Sequence, residues 1–303
     1  MGRRVMKSSV LVLLGLLICL IGIMPALAAE TRTVTDQIGR NVEVPVRPRR
    51  IVSLIPSLTE IVYELGRGDL LVGATKYARE PAAAADLPRV GTYLHLDIER
   101  IVALEPDLCL GAKDGNPQHL ISRIEEMGIP VFAFDPRTLA EIVESVRMLG
   151  ELLDAEPEAA GIALSMEKKL AAVDRKVGRD RSRPGVFFLI DASPMVSAGS
   201  GTFIDRIITR AGGRNLAAGP QSYPRYSWED ILSMQPEIVI IASMAGGYTE
   251  KQLKDEWMKW PGIPAVRDGR VYVVDAGLFD RPVPRLLDGL VMLTDLFHPD
   301  PAR

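Results

Sequence analysis

The sequence is poor in the residues that form catalytic or metal sites. It has only three histidines, and His95, His119 and His298 do not follow the spacing of metal ligands, so each is expected to lie at the surface. It also lacks a G-x-S-x-G turn, an H-E-x-x-H helix, a C-x-x-C pair and a nucleotide-binding G-x-G-x-x-G segment. An enzyme built on this chain would have only His95 as a candidate for its acid or base.

The two cysteines and the charge balance exclude further classes. Cys19 lies within residues 1–28, where a basic start, an apolar run and Ala26-Leu27-Ala28 predict a secretion signal. Cleavage there would leave Cys109 as the single cysteine, and one cysteine forms no internal disulfide. Cleavage would also remove three basic and no acidic residues, which leaves 33 basic against 39 acidic residues and a net charge of −6. Nucleic acid is not an expected partner of such a chain.

The apolar run of the signal is short for a membrane span. Two alternatives stay open, a signal retained as an uncleaved anchor and a lipoprotein attached through Cys19. In each case the rest of the chain is expected beyond the cytoplasmic membrane, in the periplasm or at the external membrane face.

Short strands alternate with helices along most of residues 51–297, a pattern typical of parallel sheets with right-handed crossovers. Residues 139–177 interrupt it, because apolar residues recur there at helical spacing with one break near Pro157. The predicted fold is therefore α/β, with two lobes of parallel strands and flanking helices joined by one long bridging helix. The predicted divisions are a signal at 1–28, an N-terminal lobe at 31–150, the bridging helix at 151–180 and a C-terminal lobe at 184–300.

An internal repeat supports two similar lobes. Residues 97–110 align without gaps with residues 227–240, and each copy has a helix N-cap residue, Glu two positions later, an apolar face, Pro and a strand. Glu99 and Glu229 thus fall in the first turns of equivalent helices. An acid there stabilises the helix dipole. Alternatively, two exposed carboxylates, one on each lobe, are suited to bind arginines of a partner protein.

Aromatic residues are few, at 6%. Several of them nevertheless fall in predicted loops after strands or before helices, where ligands of two-lobed α/β proteins bind. These are Tyr77, Tyr93, Tyr223, Tyr226 and Phe279.

Taken together, the chain resembles the periplasmic binding proteins for cobalamin, haem and ferric siderophores over nearly all of residues 31–297. The segments that carry this resemblance are VTDQIGR at 34–40, RIVSL at 50–54, Thr59-Glu60, AGGRN at 211–215 and DGRVY at 268–272. The resemblance implies the class III architecture, with a rigid bridging helix and a shallow cleft. It also implies that Glu99 and Glu229 contact the permease dimer of an ABC importer, which works with a cytoplasmic ATPase.

Within this family the chain looks most similar to the cobalamin-binding proteins, through residues 96–104, Gly115-Asn116 and residues 279–285. The similarity implies that a corrinoid is the bound ligand, with no resident cofactor or metal. The implied ligand-binding residues are Tyr77, Tyr93, Tyr223, Phe279 and Arg281. Two positions depart from the pattern, because Ala112 stands in place of a cleft tryptophan and Gly277 in place of a cleft acid.

Three alternatives follow from the same residues. Haem or a ferric siderophore is the alternative ligand, and Tyr93 or His95 would then be a candidate iron ligand. A chelatase-type enzyme on a similar fold would need a catalytic group in the cleft, for which His95 is the candidate. A structural surface protein would bind no small ligand.

Overall fold

The computed structural model describes residues 30–242 and 248–299. The predicted signal at 1–28 lies outside these residues. Within them, no helix combines the length and the apolar character that crossing a membrane requires.

The first half of the chain forms a parallel sheet preceded by a hairpin. Its strands are β1 (Thr31–Thr35), β2 (Asn41–Pro45), β3 (Ile51–Ser53), β4 (Leu71–Ala74), β5 (Leu108–Ala112) and β6 (Val131–Phe134). Its helices are α1 (Pro56–Glu64), α2 (Ile98–Ala103), α3 (Gln118–Glu126) and α4 (Leu139–Leu152). β1 and β2 pair in antiparallel fashion, and the other strands are all parallel in the order β4-β3-β5-β6.

The turn between β1 and β2 is built around the buried carboxylate of Asp36. Its Oδ1 accepts the backbone N–H groups of Ile38 and Arg40 at 3.2 and 2.8 Å, and its Oδ2 accepts Nε of Arg40 at 2.8 Å. Gly39 has a φ of +85°, a conformation that other residues adopt at a steric cost. Gly39 thus allows the tight turn that joins β1 to β2.

A 24-residue helix, α5 (Glu156–Arg179), joins the two halves. At about 1.5 Å per residue it is about 36 Å long. It begins later than the predicted start at residue 151, because α4 continues to Leu152 and Asp154 turns the chain with a φ of +53°. The buried residues of α5, such as Met166, belong to one apolar core that continues into both sheets. This shared core makes α5 a stiff connection rather than a flexible linker.

The second half repeats the α/β arrangement with an added antiparallel edge. Its strands are β7 (Gly185–Ala192), β8 (Met195–Ser197), β9 (Arg214–Asn215), β10 (Ile238–Ile241) and β11 (Val271–Val273). Its helices are α6 (Phe203–Arg210), α7 (Trp228–Met234), α8 (Glu250–Met258), α9 (Pro264–Arg267) and α10 (Leu286–Phe297). The order is β11-β10-β7-β8, in which β7, β10 and β11 are parallel, β8 is antiparallel to β7, and the short β9 pairs with the start of β7.

The sequence repeat is also a structural repeat. The aligned residues Glu105 and Gln235, which follow α2 and α7, are both left-handed, with φ values of +46° and +49°. In each copy the next acidic side chain then caps a neighbouring strand. Asp107 accepts the N–H of the residue before β3 at 3.0 Å, and Glu237 accepts the N–H of the first residue of β7 at 2.8 Å. The two lobes therefore share a detailed local construction around α2 and α7.

The expectation that His298 lies at the surface is wrong. Its side chain is only 2% exposed, with Nδ1 2.8 Å from a carboxylate oxygen of Asp180 and Nε2 3.0 Å from the carbonyl oxygen of Ala211. Gly212 has a φ of +86°, and a Cβ there would lie 2.3 Å from Nε2 of His298. His298 thus joins the end of α5 to the turn after α6, and the first glycine of the AGGRN segment leaves room for it.

Candidate functional site

The loops that carry most of the predicted site residues follow the carboxyl ends of parallel strands. Tyr77 comes three residues after β4, and Arg281 follows β11 beyond a helical turn at 276–278. Tyr93 lies in a tight turn that is closed by a bridge between Gly91 and Leu96. In α/β proteins this edge of the sheet is where ligands bind.

Two of the predicted tyrosines form a pair on the N-terminal lobe. The ring centroids of Tyr77 and Tyr93 are 6.1 Å apart with an interplanar angle of 60°. Tyr77 is 45% exposed and Tyr93 is half-buried. The ammonium of Lys76 lies 5.9 Å from the centre of the Tyr77 ring. The pair therefore presents partly exposed aromatic surface on the N-terminal lobe.

The predicted arginine belongs to an ion cluster that joins the two lobes. Glu60 on α1 accepts Nε and Nη2 of Arg285 at 2.5 and 3.2 Å, and it lies 3.8 Å from Nη1 of Arg281. Asp280 accepts Nη2 of Arg281 at 2.7 Å. Among the described residues, Nη1 of Arg281 is buried without a hydrogen-bond partner. The cluster holds Arg281 in place and leaves one of its donors unused.

The loop that carries Tyr77 reaches the same contact between the lobes. A cavity of about 430 Å³ is lined by Glu60, Tyr63, Glu64, Glu80, Pro81 and Arg285. Glu80 lies three residues after Tyr77, which places the loop of the tyrosine pair beside the ion cluster. Burial, and after it the charge of Glu60, raises the pKa of Glu64 above its usual range. The cavity is therefore lined largely by ionisable side chains.

Sequence reasoning did not assign roles to Glu60, Asp280 or Arg285, although all three fell within segments that carried the resemblance. A local signal existed for Glu60, because it is an acid between the buried residues Thr59 and Ile61 of α1. Its partner Arg285 lies 225 residues away along the chain, so no spacing rule could have paired them.

The other two predicted ligand residues lie apart from this set. Tyr223 is 64% exposed, in a loop that hydrogen-bonds to the β8 region through the neighbouring Ser222 and Pro224. Phe279 is only 5% exposed, and its ring packs edge-on against Phe188 at 5.3 Å between centroids. Phe279 is therefore part of the core, where it supports the turn that precedes Arg281.

Glu99 and Glu229 are both exposed at the second helical positions of α2 and α7. Neither forms an ion pair with any residue that the structure describes. Arg100, the neighbour of Glu99, is instead 3.1 Å from its N-cap residue Asp97. The backbone N–H of Glu229 itself and then the hydroxyl of Ser227 lower the pKa of the Glu229 carboxyl. Both side chains are thus exposed on equivalent helices, one in each lobe.

His95 and His119 are exposed, as expected. His95 closes the turn of Tyr93 through its backbone, which exchanges hydrogen bonds with Thr92. In residues 30–242 and 248–299, no group of three or more His, Cys, Asp or Glu side chains is arranged to hold a metal ion.

The chain is similar to known proteins in both sequence and fold. A family model described as periplasmic binding protein matches residues 51–278. A vitamin B12-binding protein of Vibrio parahaemolyticus is 26% identical over 253 residues, which are 82% of this chain and 89% of the relative. The crystal structure of a periplasmic vitamin B12 binding protein of Vibrio cholerae covers 84% of this chain and 98% of its own, with a TM-score of 0.73 at 26% identity. A periplasmic heme binding protein from Pseudomonas aeruginosa covers 84% and 94%, with a TM-score of 0.71 at 30% identity.

Proposed function

Because the chain belongs to the periplasmic binding protein family, we propose that it is the extracytoplasmic binding component of an ABC importer and captures a corrinoid between its lobes. It would deliver the corrinoid to a permease dimer, without chemical turnover. The similar proteins carry names of binding proteins for vitamin B12 and haem, which supports this class of ligand.

The observation that carries the proposal is a tyrosine pair on the N-terminal lobe, in a loop that lies beside the ion cluster containing Arg281 of the C-terminal lobe. A corrinoid is a large macrocycle with apolar faces and a polar rim. Tyr77 and Tyr93 offer aromatic surface for the faces. Arg281, whose side chain is 21% exposed, offers a cationic edge for the rim, and Tyr223 adds an exposed ring on the C-terminal lobe. In this proposal Phe279 supports the site from the core.

Calorimetric titration with cyanocobalamin, cobinamide, haem and a ferric siderophore tests the ligand. We expect the wild-type protein to bind the two corrinoids. Removing both rings with Tyr77→Ala and Tyr93→Ala should weaken binding about tenfold or more, since aromatic contacts contribute about 0.5–1.5 kcal/mol each. Met127→Ala is the control, because Met127 is exposed just after α3. It precedes β6 and so lies at the edge of the sheet opposite to the tyrosine loops. If the wild-type protein bound neither corrinoid, the proposed ligand would be refuted.

Haem is the second candidate, favoured by the 30% identity with the Pseudomonas aeruginosa protein and by the phenol of Tyr93 in the cleft loop. Binding of haem alone, with an absorption band of a tyrosinate–iron bond that Tyr93→Phe abolishes, would decide for it.

Docking to the permease is the second part of the proposal. The stiff helix α5 holds Glu99 and Glu229 at a fixed separation, and both lack ion-pair partners among the described residues. Two separated carboxylates would fix the orientation of the protein on two arginines of a permease dimer. An exposed pair contributes about 0.2–1 kcal/mol, and more where the complex excludes water.

The test is the variant Glu99→Ala/Glu229→Ala in corrinoid uptake and in binding to the permease in nanodiscs. We expect near-normal corrinoid affinity and weakened docking, most clearly at low salt. The matched control is Glu156→Ala/Glu158→Ala, which removes two exposed acids from the first turn of α5 and so has the same effect on charge. Uptake at the normal rate, or an equal loss in the control, would refute the docking role. The two glutamates would then only stabilise the dipoles of their helices.

A further inference from the structure

Asn116 is a buried polar residue in the loop that follows β5. It is 7% exposed, and its amide makes three hydrogen bonds to backbone groups of three different segments. Oδ1 accepts the N–H of Ala112 at 2.9 Å, while Nδ2 donates to the carbonyl oxygens of Leu54 and Tyr93, both at 3.0 Å. Both N–H donors of the amide are therefore used, and both hold carbonyl groups.

The three segments are the ends of two central strands and the tip of the tyrosine turn. Leu54 directly follows β3, and Ala112 is the last residue of β5. The turn at 91–96 is closed locally by the bridge between Gly91 and Leu96 and by backbone bonds between Thr92 and His95. These local bonds shape the turn, and the bond from Asn116 attaches its tip to the sheet.

Two glycines next to this amide lie in tight packing. A Cβ on Gly111 would lie 3.2 Å from Oδ1 of Asn116, and a Cβ on Gly115 would lie 2.5 Å from Cδ1 of Ile55. The turn is also linked to the second tyrosine loop, because the N–H of Lys76 donates to the carbonyl oxygen of Gly91 at 2.8 Å. A shift of the tip would therefore move the Tyr93 ring relative to the ring of Tyr77.

We propose that Asn116 is the positioning residue of the tyrosine pair, so that its amide sets where Tyr93 meets the bound macrocycle. This inference rests on the proposed function in one respect, which is that the pair contacts the ligand. A carboxylate cannot replace the amide, because it would turn an oxygen toward the carbonyl oxygens of Leu54 and Tyr93. An alanine removes all three bonds.

Hydrogen exchange on the ligand-free protein tests the attachment without any ligand. Asn116→Ala, or the equally sized Asn116→Asp if the alanine variant does not fold, should speed exchange of amides at 92–97. The control is Gln37→Ala, which also removes three amide hydrogen bonds in the same lobe, those to Glu141, Asp135 and Ser145. Unchanged exchange at 92–97, or an equal increase in the control, would overturn the attachment.

A double-mutant cycle then tests transmission to the ligand, with cyanocobalamin and haem as probes. Asn116→Ala should weaken binding of the probe that the wild-type protein binds by about tenfold, within the range of couplings between contacting residues. The same change in a Tyr93→Ala background should weaken it less than about twofold. Equal losses in both backgrounds would show a purely structural role and overturn the proposal. Wild-type protein that binds neither probe would instead refute the proposed function, and the exchange measurement would still decide whether Asn116 holds the turn.

Discussion

Replacing Gly212 by alanine is expected to destabilise the C-terminal lobe strongly. Two effects combine at this position. The φ of +86° strains any residue with a Cβ, at about 1–2 kcal/mol. The added Cβ would also lie 2.3 Å from Nε2 of His298, so the imidazole must leave its place between Asp180 and Ala211. Disrupting buried hydrogen bonds of this kind costs about 1–3 kcal/mol.

The expected total is about 3 kcal/mol. At about 2–4 °C per kcal/mol for a chain of this size, Tm should fall by about 6–12 °C. All three tryptophans of the chain, Trp228, Trp257 and Trp260, belong to the C-terminal half, so their fluorescence on heating reports its unfolding.

Gly269→Ala is the matched control. Gly269 also lies in the C-terminal lobe and has a φ of +68°, but a Cβ there meets nothing within 4 Å. It should lose only the conformational part, about 1–2 kcal/mol. Adding His298→Ala to Gly212→Ala should cost less than the sum of the single changes, because the clash disappears. Equal losses for Gly212→Ala and Gly269→Ala would refute the role assigned to His298.

Two further changes test the charged contacts. Glu60→Gln should lower the free energy of unfolding in urea by about 2 kcal/mol. This is somewhat less than the loss on breaking a fully buried ion pair, because Arg281 and Arg285 keep 21% and 26% of their side-chain surface exposed. Unchanged stability would contradict a stabilising contact between Glu60 and the two arginines. The backbone N–H of Ser182 and then the imidazole of His298 lower the pKa of Asp180 to about 2 from 3.8. The stabilising effect of the ionised Asp180 carboxylate is therefore complete above about pH 4 and is lost as the pH falls toward 2. The difference in the free energy of unfolding between wild type and Asp180→Asn should shrink over that range. A constant difference would contradict this role of Asp180.

Local patterns predicted the elements well, because helices and strands depend on neighbouring residues. The predicted alternation of short strands and helices is present in both halves. The repeat also located α2 and α7 as equivalent helices. The antiparallel strand β8 was not predicted, since Met195–Ser197 is too short to show an alternation. The family relationship and the α/β fold of two lobes joined by a long helix are confirmed by the comparisons.

The site was less predictable, because its contacts join residues that are far apart along the chain. The burial of His298 depends on Asp180, 118 residues away, and no local pattern distinguishes it from an exposed histidine. The tyrosines could be placed in loops, but only the folded chain brings the rings of Tyr77 and Tyr93 together. Their ligand contacts remain predictions, as does the docking role of Glu99 and Glu229.

The two proposed functions, docking to a permease and ligand capture, depend on different features of the two lobes. Around α2 and α7 the lobes are alike in capping, in the left-handed residue after the helix and in the exposed glutamate. Such likeness suits a partner that offers the same arginine twice, as a permease dimer does. At the carboxyl ends of the strands the lobes differ, with a tyrosine pair on one side and an arginine among acids on the other. If the proposed function holds, that asymmetry would give a bound macrocycle one preferred orientation.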